Sequence, residues 1–319
     1  MRRFASTLLA LLTLTLGPVS AASAQENVRL ATLAPSALLW LHAIADTKGF
    51  YKERGIAVQE LRTASSPALL QAVSSGSADA GVSLGDVVIR AIDQGAPVIM
   101  AGAILEKTIL RLYGGPGVTS PKDLAGKPVT AGAVQGGTAN LLRYQLMQLG
   151  VDHKTLQMVS IPNSRDRVVS MQNGQVKGAL LIAPYDTVVE KEGMKLLDVY
   201  RDPYVQTPLI LNTNWAAKNR KAAVGLTQAL RKASDWIYDP SNRKEAAAIL
   251  ATYTSTAPDI AEASYDFVVR EQQAIGKGLR IQAAGLENIV KIDRAVTGEA
   301  ASGAFDLKKY YDPSYLEAK

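Results

Sequence analysis

Ala57-Val-Gln-Glu-Leu-Arg-Thr63, then Ser66-Pro67 and a helix-period stretch stopped by Gly76, then Ala78-Asp-Ala-Gly-Val-Ser83: this run decides the fold. Its outer pieces are short and apolar in the manner of strands. Its middle has Ser66 as a helix N-cap, Pro67 at the first helical position and a glycine stop. Working outward, Val28–Leu33 reads as a strand and Ser36–Lys48 as an amphipathic helix closed by Gly49. Asp86–Gln94 is a helix stopped by Gly95, and Pro97–Ile104 is a fourth strand. Strands alternating with helices in this way require a mostly parallel sheet with helices on both faces.

A second cycle follows. Strands are expected at Ile109–Tyr113, Pro128–Ala133, Leu156–Ile161 and Gly178–Ala183, with helices at Thr138–Leu149 and Ser164–Asn173 stopped by Gly150 and Gly174. Leu196–Tyr200 and Leu209–Asn212 read as the last strands. From Trp215 onward the pattern is helical, with apolar positions at Leu226, Leu230, Ala233 and Ile237. No Gly/Ser- or Pro-rich linker separates the cycles, so plain strands join them, which is what a hinge needs.

Composition removes several chemistries. The 319 residues contain no cysteine and only two histidines, His42 and His153. Disulfide scaffolds, thiol nucleophiles, Fe–S clusters and Cys-type zinc sites are therefore out, and a His-built metal site is not expected. There is no G-x-S-x-G elbow and no H-E-x-x-H. Gly132-Ala-Val-Gln-Gly-Gly-Thr138 is neither a dinucleotide fingerprint nor a Walker loop. No catalytic residue, metal or cofactor is expected. The net charge of +6 is spread among acids, and its densest basic cluster, Lys218, Arg220 and Lys221, reads as a solvated helix start, so no nucleic-acid partner is expected.

Residues 1–24 read as an export address. Arg2-Arg3 precede an apolar run from Leu8 to Leu16, Gly17-Pro18 breaks it, and Ala22-Ser-Ala24 offers a signal-peptidase site. The run falls short of the ~20 residues a bilayer span needs. No cysteine follows for a lipid anchor. Cleavage after Ala24 removes two arginines and leaves a charge of +4. The longest later apolar stretch, Pro97–Leu105, reads as a buried strand. The mature chain is expected to be periplasmic, soluble, not membrane-inserted and monomeric.

In open parallel sheets, ligands bind beyond the carboxyl ends of strands, at the starts of the following helices. That rule selects Pro35-Ser36-Ala37, Ser65-Ser66-Pro67, Leu84-Gly85-Asp86 and Gln135-Gly136-Gly137-Thr138. Free backbone N–H groups at helix starts attract anions and carbonyl-type acceptors, although a Ser or Thr there also serves as a plain cap. Trp40 and Tyr185 stand as stacking walls, with a core role the other reading of Trp40. Asp86 and Glu106 are the charged candidates, Asp86 being also a good partner for its own helix start. An acid facing the crevice disfavours a purely anionic ligand and favours a zwitterion or a ring with N–H donors. Arg165, beside Asp166 and Arg167, reads as a solvated helix face.

Six segments resemble one family in order. Gly49-Phe-Tyr-Lys-Glu-Arg-Gly-Ile56 resembles its G-F-[FY]-x-x-x-G-[IL] signature, and Leu69 to Gly81 its A-L-x-x-G-x-x-D-x-G segment. Ser120-Pro-Lys-Asp-Leu-Ala-Gly-Lys127 looks like the opening of its second lobe. Asn173 to Gly178 and Ala183-Pro-Tyr185 resemble two further elements, with Lys177 in place of the usual Asp, and Tyr311 to Leu316 resembles its ending. The family is that of periplasmic substrate-binding proteins of ABC importers, of nitrate/sulfonate/taurine type. The resemblance implies a type II periplasmic-binding-protein fold, two α/β lobes around a ligand cleft. Lobe one would comprise 25–111 and 216–319, and lobe two 112–215. It further implies that Ser36, Ser65, Ser66, Gly137, Thr138 and Tyr185 contact a small-molecule ligand, and that the partner is an inner-membrane ABC permease. Sulfonates, carboxylates and amino-sulfonates lead as ligands. A thiamine-precursor pyrimidine or similar heterocycle, a ligand-sensing input to a membrane kinase, and an exported enzyme are the rival readings. Porphobilinogen deaminase and the yeast-type thiamine pyrimidine synthase share the fold but need cysteines that this chain lacks.

Overall fold

A computed structural model describes residues 25–299 and 304–318, so the expected export segment 1–24 lies outside the described residues. Ten strands form: β1 (Glu26–Thr32), β2 (Ile56–Arg62), β3 (Ala80–Val82), β4 (Val98–Leu105), β5 (Leu110–Gly114), β6 (Pro128–Thr130), β7 (Gln157–Val159), β8 (Gly178–Ile182), β9 (Lys195–Val199) and β10 (Thr207–Asn212). They make two five-stranded sheets, ordered β2-β1-β3-β10-β4 and β7-β6-β8-β5-β9.

Four strands in each sheet run in one direction, as the strand–helix alternation demands, three of them in direct parallel pairing: β1 with β2 and β3, and β6 with β7 and β8. One antiparallel strand then splits each sheet. β10 lies between β3 and β4, pairing Leu209 with Val82 and with Gly102. β5 lies between β8 and β9, pairing Leu112 with Leu180 and Asp198. Local periodicity carries no information about such a long-range insertion, so β3 and β4, neighbours in the chain, are not neighbours in the sheet. Thr207–Asn212, inside the 112–215 span expected for the second lobe, pairs in the first sheet. The return crossing therefore falls between Val199 and Thr207.

Both crossings are tied to one another. Ile109 N–H donates to Gln206 Oε1 at 2.7 Å, and Gln272 Nε2 donates to Thr108 O at 3.0 Å and to Tyr200 O at 2.9 Å. A single buried amide thus clamps the outgoing and returning strands.

Helices cover both faces, and β8 and β10 are buried along their full length. The helix Arg220–Ile237 turns Leu226, Leu230, Ala233 and Ile237 inward, each fully buried. Helix boundaries shift by about a residue from sequence, within the usual fraying. One shift alters a role: Ser65, not Ser66, caps the helix Ser66–Ser74, accepting from Ala68 N–H at 3.4 Å.

Candidate functional site

The carboxyl edges of the two sheets meet. Just past β1, Ala37 N–H donates to Ala183 O, just past β8, at 3.0 Å. Tyr185 Oη donates to Pro35 O at 3.1 Å. On the other side, the helix after β3 (Gly85–Asp93) faces the helix after β6 (Gly137–Gln148). There Gly137 N–H donates to Asp86 Oδ2 at 2.6 Å, and Asn140 Nδ2 donates to Asp293 Oδ1 at 2.5 Å. The starts of helices from both sheets are therefore brought face to face, as the strand-end rule for open α/β sheets anticipates.

Four hydroxyls on these edges are buried and unpartnered: Ser36 Oγ, Ser83 Oγ, Thr130 Oγ1 and Thr207 Oγ1. Ser36 follows β1, Ser83 follows β3, Thr130 ends β6, and Thr207 opens β10 opposite Leu105 at the end of β4. Leaving a buried hydroxyl without a partner costs about 1–3 kcal/mol. All four lie on the strand edges beyond which ligands bind in open α/β sheets.

The charges are arranged asymmetrically. On the first sheet's side, Asp86 is 3% exposed and paired with Arg90 at 2.6 Å, and Arg90 reaches Asp293 at 3.2 Å. Burial pushes the Asp86 carboxyl above the usual carboxylate range, against the pull of Arg90 and Gly137 N–H. On the second side, Arg167 is buried and donates to three backbone carbonyls, Ile161 O, Leu180 O and Pro162 O, at 2.7–2.8 Å. Burial lowers it to about 10, which leaves it charged at neutral pH. Its Nη2 lies 3.2 Å from where a Cβ on Gly132 would sit, in the loop leading to Gly137. Arg111 on β5 bonds Asp186 at 2.7 Å and lies 4.4 Å over the Phe267 ring, beside a groove of about 610 Å³ that includes Thr187, Glu190 and Arg270.

The structure brings together Ser36, Ala37 and Tyr185, and separately Asp86, Gly136 and Gly137, with Thr138 half-buried beside them. Other candidates also have roles within the fold. Trp40 is a core residue: fully buried, it donates from Nε1 to Ala246 O at 2.9 Å and meets Tyr265 edge-on. Ser65 Oγ accepts from Ala68 N–H as a cap, and Ser66 is buried in the first turn that follows. Gly85 is a packing glycine, because a Cβ there would overlap Val205 O and lie 2.9 Å from Ile289. Glu106 directly follows β4 at the start of the crossing, and burial raises its carboxyl against the pull of Lys107 and Lys277. Arg165 and Asp166 are exposed as read, but Arg167 is not; one buried arginine in a charged triplet leaves no sequence signal. Ser83 and Thr130 were likewise invisible in strand-like runs. Arg111, a lone charge inside the apolar β5, was the one overlooked residue that its context flagged.

Among the described residues, no cluster of His, Asp or Glu is arranged to hold a metal ion, and no helix is long and apolar enough to cross a membrane. His42 is buried in the first helix, 3.0 Å from Tyr51 Oη and away from the cleft.

Residues 42–243 match the NMT1/THI5-like family. The chain belongs to that family. Its curated relative YtlA of Bacillus subtilis, named for binding with no ligand specified, is 24% identical over 235 residues, 70% of each chain. Among solved structures of this family's fold, the periplasmic aliphatic sulphonate binding protein SsuA of Escherichia coli is 18% identical with a TM-score of 0.68, over 86% of this chain and 87% of its own. The periplasmic nitrate-binding protein NrtA of Synechocystis gives 17% and 0.65, over 74% and 69%. The desulfurization enzyme DSZB gives 14% and 0.65, over 92% and 98%. The shared architecture is thus that of periplasmic binding proteins, on which at least one enzyme is also built.

Proposed function

We propose that this chain is a non-enzymatic solute-binding receptor, exported to the periplasm, that captures a small organic molecule between its two sheets and presents it to an ABC permease. The observation that carries the reading is the set of four unpartnered hydroxyls, Ser36, Ser83, Thr130 and Thr207, buried on strand edges that face one another. A hydroxyl donates to sulfonate, carboxylate or ring acceptors, and neighbouring helix starts add N–H groups. The segments 106–109 and 200–206 serve as the hinge, and Gln272 holds them in step. Closure excludes water and strengthens every polar contact to the solute. The binding-protein relatives support this reading. The enzyme reading is weakened by the lack of cysteine and by the placement of His42 in the core.

Within that reading, Asp86 on the cleft wall favours a solute that carries N–H donors, an amino-sulfonate or a nitrogen heterocycle, over a bare anion. Native mass spectrometry of protein purified without denaturation is expected to show one small organic molecule bound per chain. Thr130→Val and Thr207→Val are each expected to weaken its retention at least tenfold while the fold survives. Full retention in both variants would remove the cleft from consideration. Turnover of the captured molecule by the purified chain would replace the receptor with an enzyme.

A further inference from the structure

The start of the Gly137–Gln148 helix presents backbone N–H groups, with no side chain of its N-cap residue Gly136 to cap them, and the positive end of its dipole. Two features beside it reinforce its pull on anions. Arg167 lies under the Gly132 loop, its guanidinium bonded to carbonyls and to no carboxylate. Thr130 Oγ1, fully buried on the strand that leads into this loop, has no partner. An acceptor does occupy the helix start, and the chain itself supplies it: Asp86 Oδ2, 2.6 Å from Gly137 N–H, arriving from the opposite sheet.

We propose that Asp86 is a specificity-determining residue that acts as an internal competitor for anions at the start of the Gly137 helix. An anionic head group can take Gly137 N–H only by displacing this carboxylate. The displaced Asp86 would stay held by Arg90 at 2.6 Å, so two negative charges would then share a dry crevice with one guanidinium between them. A neutral or cationic group meets no such repulsion and finds in Asp86 an acceptor. The contact is sterically tight, since a Cβ on Gly137 would overlap the Asp86 carboxyl group. Residue 137 must be glycine for the carboxylate to reach its seat. The proposal rests on the receptor reading only in placing the solute site at this edge, and its test uses a probe anion whatever the natural solute is.

Methanesulfonate titrated into the full-length mature chain, freed of bound solute, tests it, with binding read by calorimetry and by the backbone amide shifts of Gly137 and Thr138. Asp86→Ala is expected to bind methanesulfonate at least tenfold more tightly than the unmodified chain, with both amides shifting. Asp86→Asn, nearly isosteric and neutral, guards against misfolding and is expected to gain less, since its amide oxygen still competes for Gly137 N–H. Equal affinity in the unmodified chain and both variants would overturn the proposal. So would a gain in affinity with shifts that bypass Gly137 and Thr138. Should native mass spectrometry find no captured solute while Asp86→Ala still gains the anion, the receptor reading fails and the competitor stands.

Discussion

The two sheets share one plan and differ in charge. Each runs, in the order its own unit is built, second–first–third–inserted–fourth strand, the inserted strand being the first to arrive after a crossing: β10 in one, β5 in the other. On that common frame the first sheet's edge presents a buried carboxylate, Asp86, with an arginine behind it. The second presents helix N–H groups over a buried guanidinium with only carbonyls around it. Topology fixes where a site forms, and side chains fix its sign. Because the signs are opposite, the edges attract one another, and Asp86 meets Gly137 N–H across them.

The largest test of the contrast is Arg167→Met, which keeps volume but strips the donors from three backbone carbonyls, of which Leu180 O is fully buried and Ile161 O and Pro162 O are nearer the surface. Orphaning the buried carbonyl costs about 1–3 kcal/mol and the two nearer the surface less, so a loss of about 2–3 kcal/mol is expected in urea unfolding. Hydrogen exchange should speed first in β6 and β8. Equal speeding in β1 and β3 would show that the two sheets do not differ in this way.

A smaller test lies on the first sheet's side. Burial lowers the His42 imidazole, which bonds Tyr51, below the ordinary histidine value. A depressed pKa gives stability that is present above about pH 6.5 and lost on acidification toward the folded value, at up to about 1.4 kcal/mol per pH unit. His42→Gln is expected to flatten stability measured between pH 7.5 and 5.5; a profile parallel to the unmodified chain's would assign the acid loss to other groups. The smallest effect belongs to the edges. Ser83→Ala and Thr130→Val remove hydroxyls with no partner, so each is expected to leave stability unchanged or raise it by up to about 1 kcal/mol. A loss of 2 kcal/mol or more in either would mean that the hydroxyl already has a partner within the fold.

Much of this was legible beforehand. Gly76, Gly95, Gly150 and Gly174 end their helices with positive φ, as their places in the periodic pattern imply. The buried stripe of Arg220–Ile237 was readable residue by residue. Of the site, the helix starts at Ser36, Asp86 and Gly137 were readable because strand ends and small residues announce them. Trp40 was ambiguous, since a large aromatic one turn into a helix faces core or cleft according to what packs above it, here Tyr265 and Ala246 O.

The sequence by itself determined the alternation of strands and helices, the lack of thiol chemistry and the segments from which a site could be built, because periodicity, caps and composition are local properties. The tertiary structure decided which strand splits each sheet, that Arg167 is buried while Arg165 is not, and that Asp86 lands on Gly137. Those depend on contacts between residues up to more than a hundred positions apart, whose pairing no local pattern encodes.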